Sequence, residues 1–151
     1  MKRSKKDTGY ILVQLALFAL YIFRIPTLDF EINNAVKVAG FVFFIAGLIV
    51  LATAFIALNK NLTVFPTPKA NASLITSGIY HYVRHPIYNG VLLMTCGYGV
   101  FSSNTLRLIV TIMLLILFVF KAAYEEHMLN LKFRGYEAYK RNTARFFPRI
   151  Y

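Results

Sequence analysis

The sequence predicts an all-α integral membrane protein: about four transmembrane helices followed by a C-terminal interfacial helix. Three observations carry that expectation. The 151-residue chain is 58% hydrophobic with a mean hydropathy of +0.56, above the usual content of a soluble domain. The apolar residues fall into four long runs separated by short polar or Pro- and Gly-containing connections. Lys and Arg collect at the ends of those runs rather than along one face, as in proteins that meet anionic lipid. A formal charge of +11 would suggest nucleic acid in a soluble protein, but this apolar content argues against it. A length of 151 residues accommodates one domain, residues 1–151.

The N-terminal Lys2, Arg3, Lys5 and Lys6 precede an apolar run from Tyr10 to Ile25. No small-x-small cleavage pattern follows, so the run is expected to be a retained anchor rather than a signal peptide. It is short for a span, which needs ~20 residues, and Tyr10 and Tyr21 suit its interfacial ends. Pro26 and Asp29-Phe30-Glu31 make a polar connection. The second span is expected over residues 35–58, with Gly40 and Gly47 permitting close contact with another helix. Residues 59–86 form a polar segment in which Pro66 and Pro68 stop any helix. A third span over 87–101 carries Gly90, Gly97 and Gly99. Ser102-Ser103-Asn104 is a tight turn, and a fourth span over 105–124 should return as an antiparallel partner. In the tail, residues 125–151, Leu129, Phe133 and Tyr136 recur at helical spacing among Lys132, Arg134 and Lys140, which predicts an interfacial amphipathic helix broken at Gly135.

Fourteen of the 17 Lys and Arg residues lie in the N-terminal tail, the 59–86 segment or the end of the last span and tail; Arg24, Lys37 and Arg107 do not. Both termini and the 59–86 segment are therefore expected to be cytoplasmic. Asn61-Leu62-Thr63 and Asn71-Ala72-Ser73 match the glycosylation pattern, and this orientation leaves them unmodified. The single Cys96 excludes an intramolecular disulfide and reads as a packing residue.

The chemistry is concentrated in Gly78–Gly90, a polar, aromatic and turn-rich stretch containing Arg84-His85-Pro86 where the chain re-enters the apolar region. Titratable residues at that depth are costly unless paired or facing a cavity. Glu125 and Glu126, at the end of the last span, are expected on the same side. Together with Tyr80 and Tyr88 they would surround a ligand carrying both charges and a polar ring system. The alternative is that the glutamates merely begin an interfacial helix. His81 and His85 alone are too few for a metal site, and Asp7 and Asp29 lie too far from the stretch for a Ser-His-Asp arrangement.

Leu74-Ile75-Thr76-Ser77-Gly78-Ile79-Tyr80, Arg84-His85-Pro86-Ile87-Tyr88, Glu125-Glu126 and Phe133…Tyr136…Tyr139…Arg145-Phe146-Phe147-Pro148, in that order, resemble the isoprenylcysteine carboxyl methyltransferase family of integral-membrane enzymes. Phospholipid N-methyltransferases share parts of the pattern, and the resemblance covers residues 64 to 149. It implies S-adenosylmethionine as methyl donor. Leu74, Ile75 and Tyr80 would line the adenosyl pocket, His85, Pro86 and Tyr88 would hold the donor from the loop and helix start, and Glu125 would hydrogen-bond it with Glu126 beside it. Arg84 would suit its carboxylate. The acceptor would be lipophilic and reach the site from the bilayer, a prenylcysteine-like carboxylate being one such acceptor; no general base is nominated. The family's substrate-binding arginine, one turn before the glutamates, is Lys121 here, which keeps the charge without the bidentate fork. Membrane sterol or enone reductases using NADPH share an Arg-His-x-x-Tyr element and an Arg-x-x-Pro-x-x-Tyr ending, and a non-catalytic protein binding a lipid headgroup or a partner is the third reading. The brevity and single cysteine favour a prokaryotic plasma membrane, with the endoplasmic reticulum as the eukaryotic equivalent.

Overall fold

The computed structural model describes residues 4–23, 26–58, 63, 65–69 and 71–147. Among the described residues there are five α-helices: α1 (Lys5–Ile22), α2 (Asn34–Leu58), α3 (Pro86–Phe101), α4 (Thr105–Lys132) and α5 (Tyr136–Asn142). Short 3-10 turns occupy Pro26–Leu28 and Gly78–His81. Of the sequence features above, Lys2, Arg3, Arg24, Lys60, Asn61 and Pro148 to Tyr151 lie outside the described residues.

Helix α1 starts five residues earlier than its apolar run. Ser4 and Asp7 cap it: the Lys6 N–H donates to Ser4 Oγ at 3.3 Å and the Ser4 N–H to Asp7 Oδ2 at 2.9 Å, which satisfies donors a helix start otherwise leaves open. Helix α2, apolar on all sides, buries only Gly40, Gly47 and Ala54. Phe41, Phe43, Ile49 and Ile56 are among its many exposed apolar residues, as a lipid-facing helix requires. Helices α2 (25 residues) and α4 (28 residues) are long and apolar enough to cross a membrane, whereas α1 at 18 and α3 at 16 residues are shorter than the ~20 a perpendicular span needs.

The α2–α3 interface is built from glycines. A methyl group at Gly47 would lie 2.6 Å from the Met94 backbone nitrogen, one at Gly40 2.8 Å from that of Phe101, and one at Gly90 2.9 Å from that of Leu51. Backbone meets backbone there, the close approach small residues allow between apolar helices. Helix α4 packs on α3 through the Ser102–Asn104 turn and on α1, around a core of Leu17, Tyr88, Leu92, Val110, Leu114, Phe118 and Ala122.

Helix α4 also differs from expectation. It runs unbroken through Lys132, eight residues past Tyr124, so Glu125 and Glu126 lie inside a helix rather than at the end of a span. Both carboxylates find partners across the bundle (below), so nothing forces the helix to stop there. The expected interfacial helix is reduced to the seven-residue α5, set off by a turn at Arg134-Gly135.

Tertiary hydrogen bonds sort the connections into two ends. Thr67 Oγ1 donates to the buried Asp7 Oδ2 at 2.7 Å and Lys132 Nζ to the Lys69 carbonyl, which joins the start of α1, the 65–85 segment and the end of α4. At the other end the Phe30 N–H donates to the Ser103 carbonyl at 2.9 Å and Asn104 Nδ2 to Asp29 Oδ1 at 2.6 Å.

Candidate functional site

Gly78 begins the site with a φ of +61°, a left-handed conformation that costs glycine little. The 3-10 turn that follows buries Tyr80. Val83, Arg84 and His85 then run extended beside the tail: Val83 bridges Ala144 in parallel, the Arg84 N–H donates to the Ala144 carbonyl at 2.9 Å, and the His85 N–H to the Arg145 carbonyl at 3.2 Å. Asn89 Nδ2 continues the seam to the Phe146 carbonyl. His85 is the cap residue of α3 and Pro86 its first residue, where the missing N–H is not needed.

Glu126 is the charge hub beneath this seam. It is almost wholly buried, with its side chain 4% exposed. Oε1 accepts from Arg84 Nε at 3.1 Å and Arg145 Nε at 3.0 Å and lies 3.2 Å from His85 Nε2; Oε2 accepts from Arg145 Nη2 at 2.8 Å. Arg145 therefore grips Glu126 with a two-pronged fork, the strongest common carboxylate pairing. That hydrogen bond holds the Arg145 guanidinium above its ordinary pKa. Arg84 Nη1 also donates to the Lys140 carbonyl at 2.8 Å and to that of Thr143.

Glu125, one residue earlier, points elsewhere. Tyr88 donates its hydroxyl to Glu125 Oε2 at 2.8 Å, and His85 Nδ1 lies 3.7 Å from the same oxygen. The Glu125 side chain is 26% exposed, and among the described residues Oε1 accepts no hydrogen bond. The rings form a stack: His85 lies on Tyr88 at 5.3 Å with planes 7° apart, and Tyr88 on Phe118 at 4.6 Å. Lys121, one turn before Glu125, sits 5.4 Å from the Tyr88 ring centre and donates to Gln14 Oε1 at 2.7 Å.

These groups line a cavity of about 490 Å³, a size that typically encloses a drug-sized ligand, roughly 300–1,000 Å³. Of the ten residues expected at a site, Leu74, Ile75, Tyr80, Arg84, His85, Tyr88, Lys121 and Glu125 line it together. Pro86 and Glu126 do not: Pro86 is fully buried at the start of α3, and Glu126 faces Arg84, His85 and Arg145. His81 also lies off the cavity, packed edge-on against Tyr82.

Several cavity residues were not singled out for a role from the sequence. Pro66, Pro68, Ala72 and Ser73 form a wall before Leu74; Phe133, Tyr136 and Tyr139 close the α4–α5 side; Leu51, Phe55, Met94 and Phe118 make an apolar interior; and Gln14 and Phe18 come from α1. Tyr139 donates its hydroxyl to the Tyr80 carbonyl at 2.6 Å. Burial pushes its pKa up to about 12, and burial together with the Glu125 charge raises that of Tyr80, so both phenols stay neutral donors at neutral pH. Gln14 had one legible signal, a polar side chain inside an apolar run.

Comparison with known proteins adds three findings. The profile of the phospholipid methyltransferase family matches residues 36–135. Protein-S-isoprenylcysteine O-methyltransferase B of Arabidopsis thaliana is 29% identical over 113 residues, covering 72% of this chain and 57% of that protein, and the nickel-cobalt-cadmium resistance protein NccN of Alcaligenes xylosoxydans xylosoxydans is 29% identical over 83 residues, covering 54% and 39%. The fold superimposes on the eukaryotic intramembrane Ras methyltransferase, an isoprenylcysteine carboxyl methyltransferase, with a TM-score of 0.70 at 21% identity, over 97% of this chain and 55% of that one. The matched region thus spans between 39% and 57% of each relative's length.

Proposed function

The chain belongs to the phospholipid methyltransferase family, and on that premise we propose that it is an integral-membrane methyltransferase that uses S-adenosylmethionine to methylate a lipophilic acceptor. The observation that carries this reading is Glu125: a partly open carboxylate, held by Tyr88, on the wall of an aromatic cavity. The donor has a sulfonium, an ammonium, a carboxylate and a flat ring system, and the residues present fit each part. Glu125 suits the cations, and the faces of Tyr80 and Tyr139 suit both cation and ring. Leu74 and Ile75 supply apolar wall. Arg84, fixed by Glu126 and two carbonyls, offers a positive charge at the wall to the carboxylate. Glu126 acts through Arg84 and His85, which it orients.

When bound, S-adenosylmethionine supplies an activated methyl group, transferred by in-line displacement from its sulfur. The protein's part is positioning and exclusion of water. Tyr88 is fixed on three sides, by Glu125 on its hydroxyl and by His85 and Phe118 on its ring faces. Lys121 and Glu125 are one helical turn apart, about 6 Å along the axis, and give the cavity a basic and an acidic end. A cationic donor beside Glu125 and an anionic acceptor beside Lys121 would meet with complementary charge. A carboxylate acceptor of this kind needs no base. Its hydrocarbon chain would lie against Phe18, Leu51, Phe55 and Met94, on the side where α1 and α2 share no extensive contact. The distribution of Lys and Arg supports a cavity whose donor side faces the cytoplasm.

The test is transfer of label. Purified protein with methyl-labelled S-adenosylmethionine and total membrane lipid extract should give label that partitions into organic solvent, and Glu125→Gln should abolish it. Label that stays in the aqueous phase at every lipid concentration would count against this function.

A further inference from the structure

We infer that Gln14 determines which head group the acceptor must carry, acting with Lys121 as a two-residue anion reader. This rests on the methyltransferase reading above. Gln14 lies in the middle of α1, among residues that are apolar from Tyr10 to Ile22 except for this one. An amide in such surroundings is costly unless it is paired or faces a cavity; Gln14 does both. It lines the cavity, and its Oε1 accepts from Lys121 Nζ at 2.7 Å.

The orientation of the amide follows from chemistry. An ammonium has donors only, so the Gln14 oxygen must face Lys121. The amide nitrogen, with two N–H groups, then points away from it, and among the described residues it donates to nothing. Lys121 is itself 3% exposed and is held over the Tyr88 ring. The pair therefore presents charge and N–H donors to a cavity whose lining also includes Phe18, Leu51, Val91 and Met94. A carboxylate or similar oxyanion on a hydrocarbon chain satisfies both residues. A protonated amine satisfies neither and meets the Lys121 charge. Gln14 thus adds directional donors to a point charge that lacks the planar fork of arginine.

The decisive change is Gln14→Glu, which is nearly isosteric but puts a carboxylate against Lys121, cancelling its charge and removing both N–H donors. The experiment measures binding to the full-length protein in detergent, with S-adenosylhomocysteine present, of two probes: an S-prenyl-N-acetylcysteine with a free carboxylate and a primary amine of matched hydrocarbon length. Using the ratio of the two affinities cancels partition into micelles. Wild type should prefer the carboxylate by about 10-fold or more, the scale of one hydrogen bond to a charged group. Gln14→Glu should lower that ratio by about 30-fold or more and leave S-adenosylhomocysteine affinity within about twofold. Gln14→Leu, which suits an apolar helix and guards against a folding defect, should weaken the carboxylate about 5- to 10-fold without favouring the amine.

A ratio in Gln14→Glu within threefold of wild type would overturn the inference. So would a wild type that binds S-adenosylhomocysteine but shows no preference between the probes; the methyltransferase reading would survive that result. Loss of S-adenosylhomocysteine binding in a folded Gln14→Glu protein would also overturn it, by assigning Gln14 to the donor. Failure of wild type to bind S-adenosylhomocysteine at all would remove the methyltransferase reading, and this inference with it.

Discussion

Glu125 and Glu126 are adjacent and chemically identical, yet the structure gives them separable roles, and the pair of single substitutions to glutamine should separate them. Glu126→Gln keeps the shape and removes the charge that Arg84, His85 and Arg145 surround. Breaking a buried ion pair by removing one partner costs about 3–5 kcal/mol. The lower end applies here, because Arg84 keeps two carbonyl acceptors and the Arg145 side chain is 35% exposed. About 3 kcal/mol corresponds to a fall of roughly 6–12 °C in melting temperature for a chain of this size. Glu125→Gln removes a partly exposed carboxylate whose one hydrogen-bond donor among the described residues is the Tyr88 hydroxyl, which an amide oxygen can still accept, so it should cost under about 1 kcal/mol. The assay is thermal unfolding in one detergent at one scan rate, with and without saturating S-adenosylmethionine. Wild type should be stabilised by the ligand. Glu125→Gln should melt near unliganded wild type and gain little from the ligand, while Glu126→Gln should melt lower but retain a ligand-induced rise. Equal destabilisation by the two substitutions, or a Glu126→Gln protein as stable as wild type, would refute this division of labour.

Three further outcomes follow from the same contacts. Gly47→Val forces a side chain into the backbone of Met94 and should lower stability by about 1–3 kcal/mol, read as a lower melting temperature; an unchanged melt would mean that the α2–α3 contact is looser than described. Arg145→Ala should release the tail from Glu126 and weaken donor affinity several-fold, and Arg145→Lys should restore less than half of the loss because it lacks the fork; full rescue by Lys would show that only charge matters there. Expressed in a glycosylating eukaryotic membrane, the protein should carry no glycan at the exposed Asn71, and modification of that site would reverse the proposed orientation.

The parts of the fold that were legible in the sequence are those set by local signals. Helices α2 and α3 begin within a residue of the expected apolar runs, where the Asn33 side chain accepts the Val36 N–H and Pro86 opens α3, and the Ser102–Asn104 turn joins α3 to α4 as expected. Gly40 and Gly47 announced a close helix contact, although not that Gly97 and Gly90 of α3 would meet them. What stayed hidden depends on contacts remote in sequence. The end of α4 cannot be read locally, since a pair of glutamates after an apolar run resembles a helix leaving the membrane; only Arg84, His85, Tyr88 and Arg145 make a continuous helix tolerable there. Nor can sequence show that residues 144–145 lie beside 83–85, that Glu126 turns away from the cavity while Glu125 faces it, or that Gln14 reaches Lys121. Most of the expected site residues line one cavity because the motif around His85 and the turn before Lys121–Glu125 are separately legible and meet across α3 and α4.

Whether the Glu125 cavity holds S-adenosylmethionine is read by a calorimetric titration of the purified protein with S-adenosylmethionine, S-adenosylhomocysteine and NADPH. Saturable one-site binding of the first two and none of NADPH is expected. Loss of one charge-assisted contact, worth about 1.5–3 kcal/mol, should weaken that binding roughly 10- to 100-fold in Glu125→Gln. Binding of NADPH alone, or wild-type affinity in a folded Glu125→Gln protein, would contradict it.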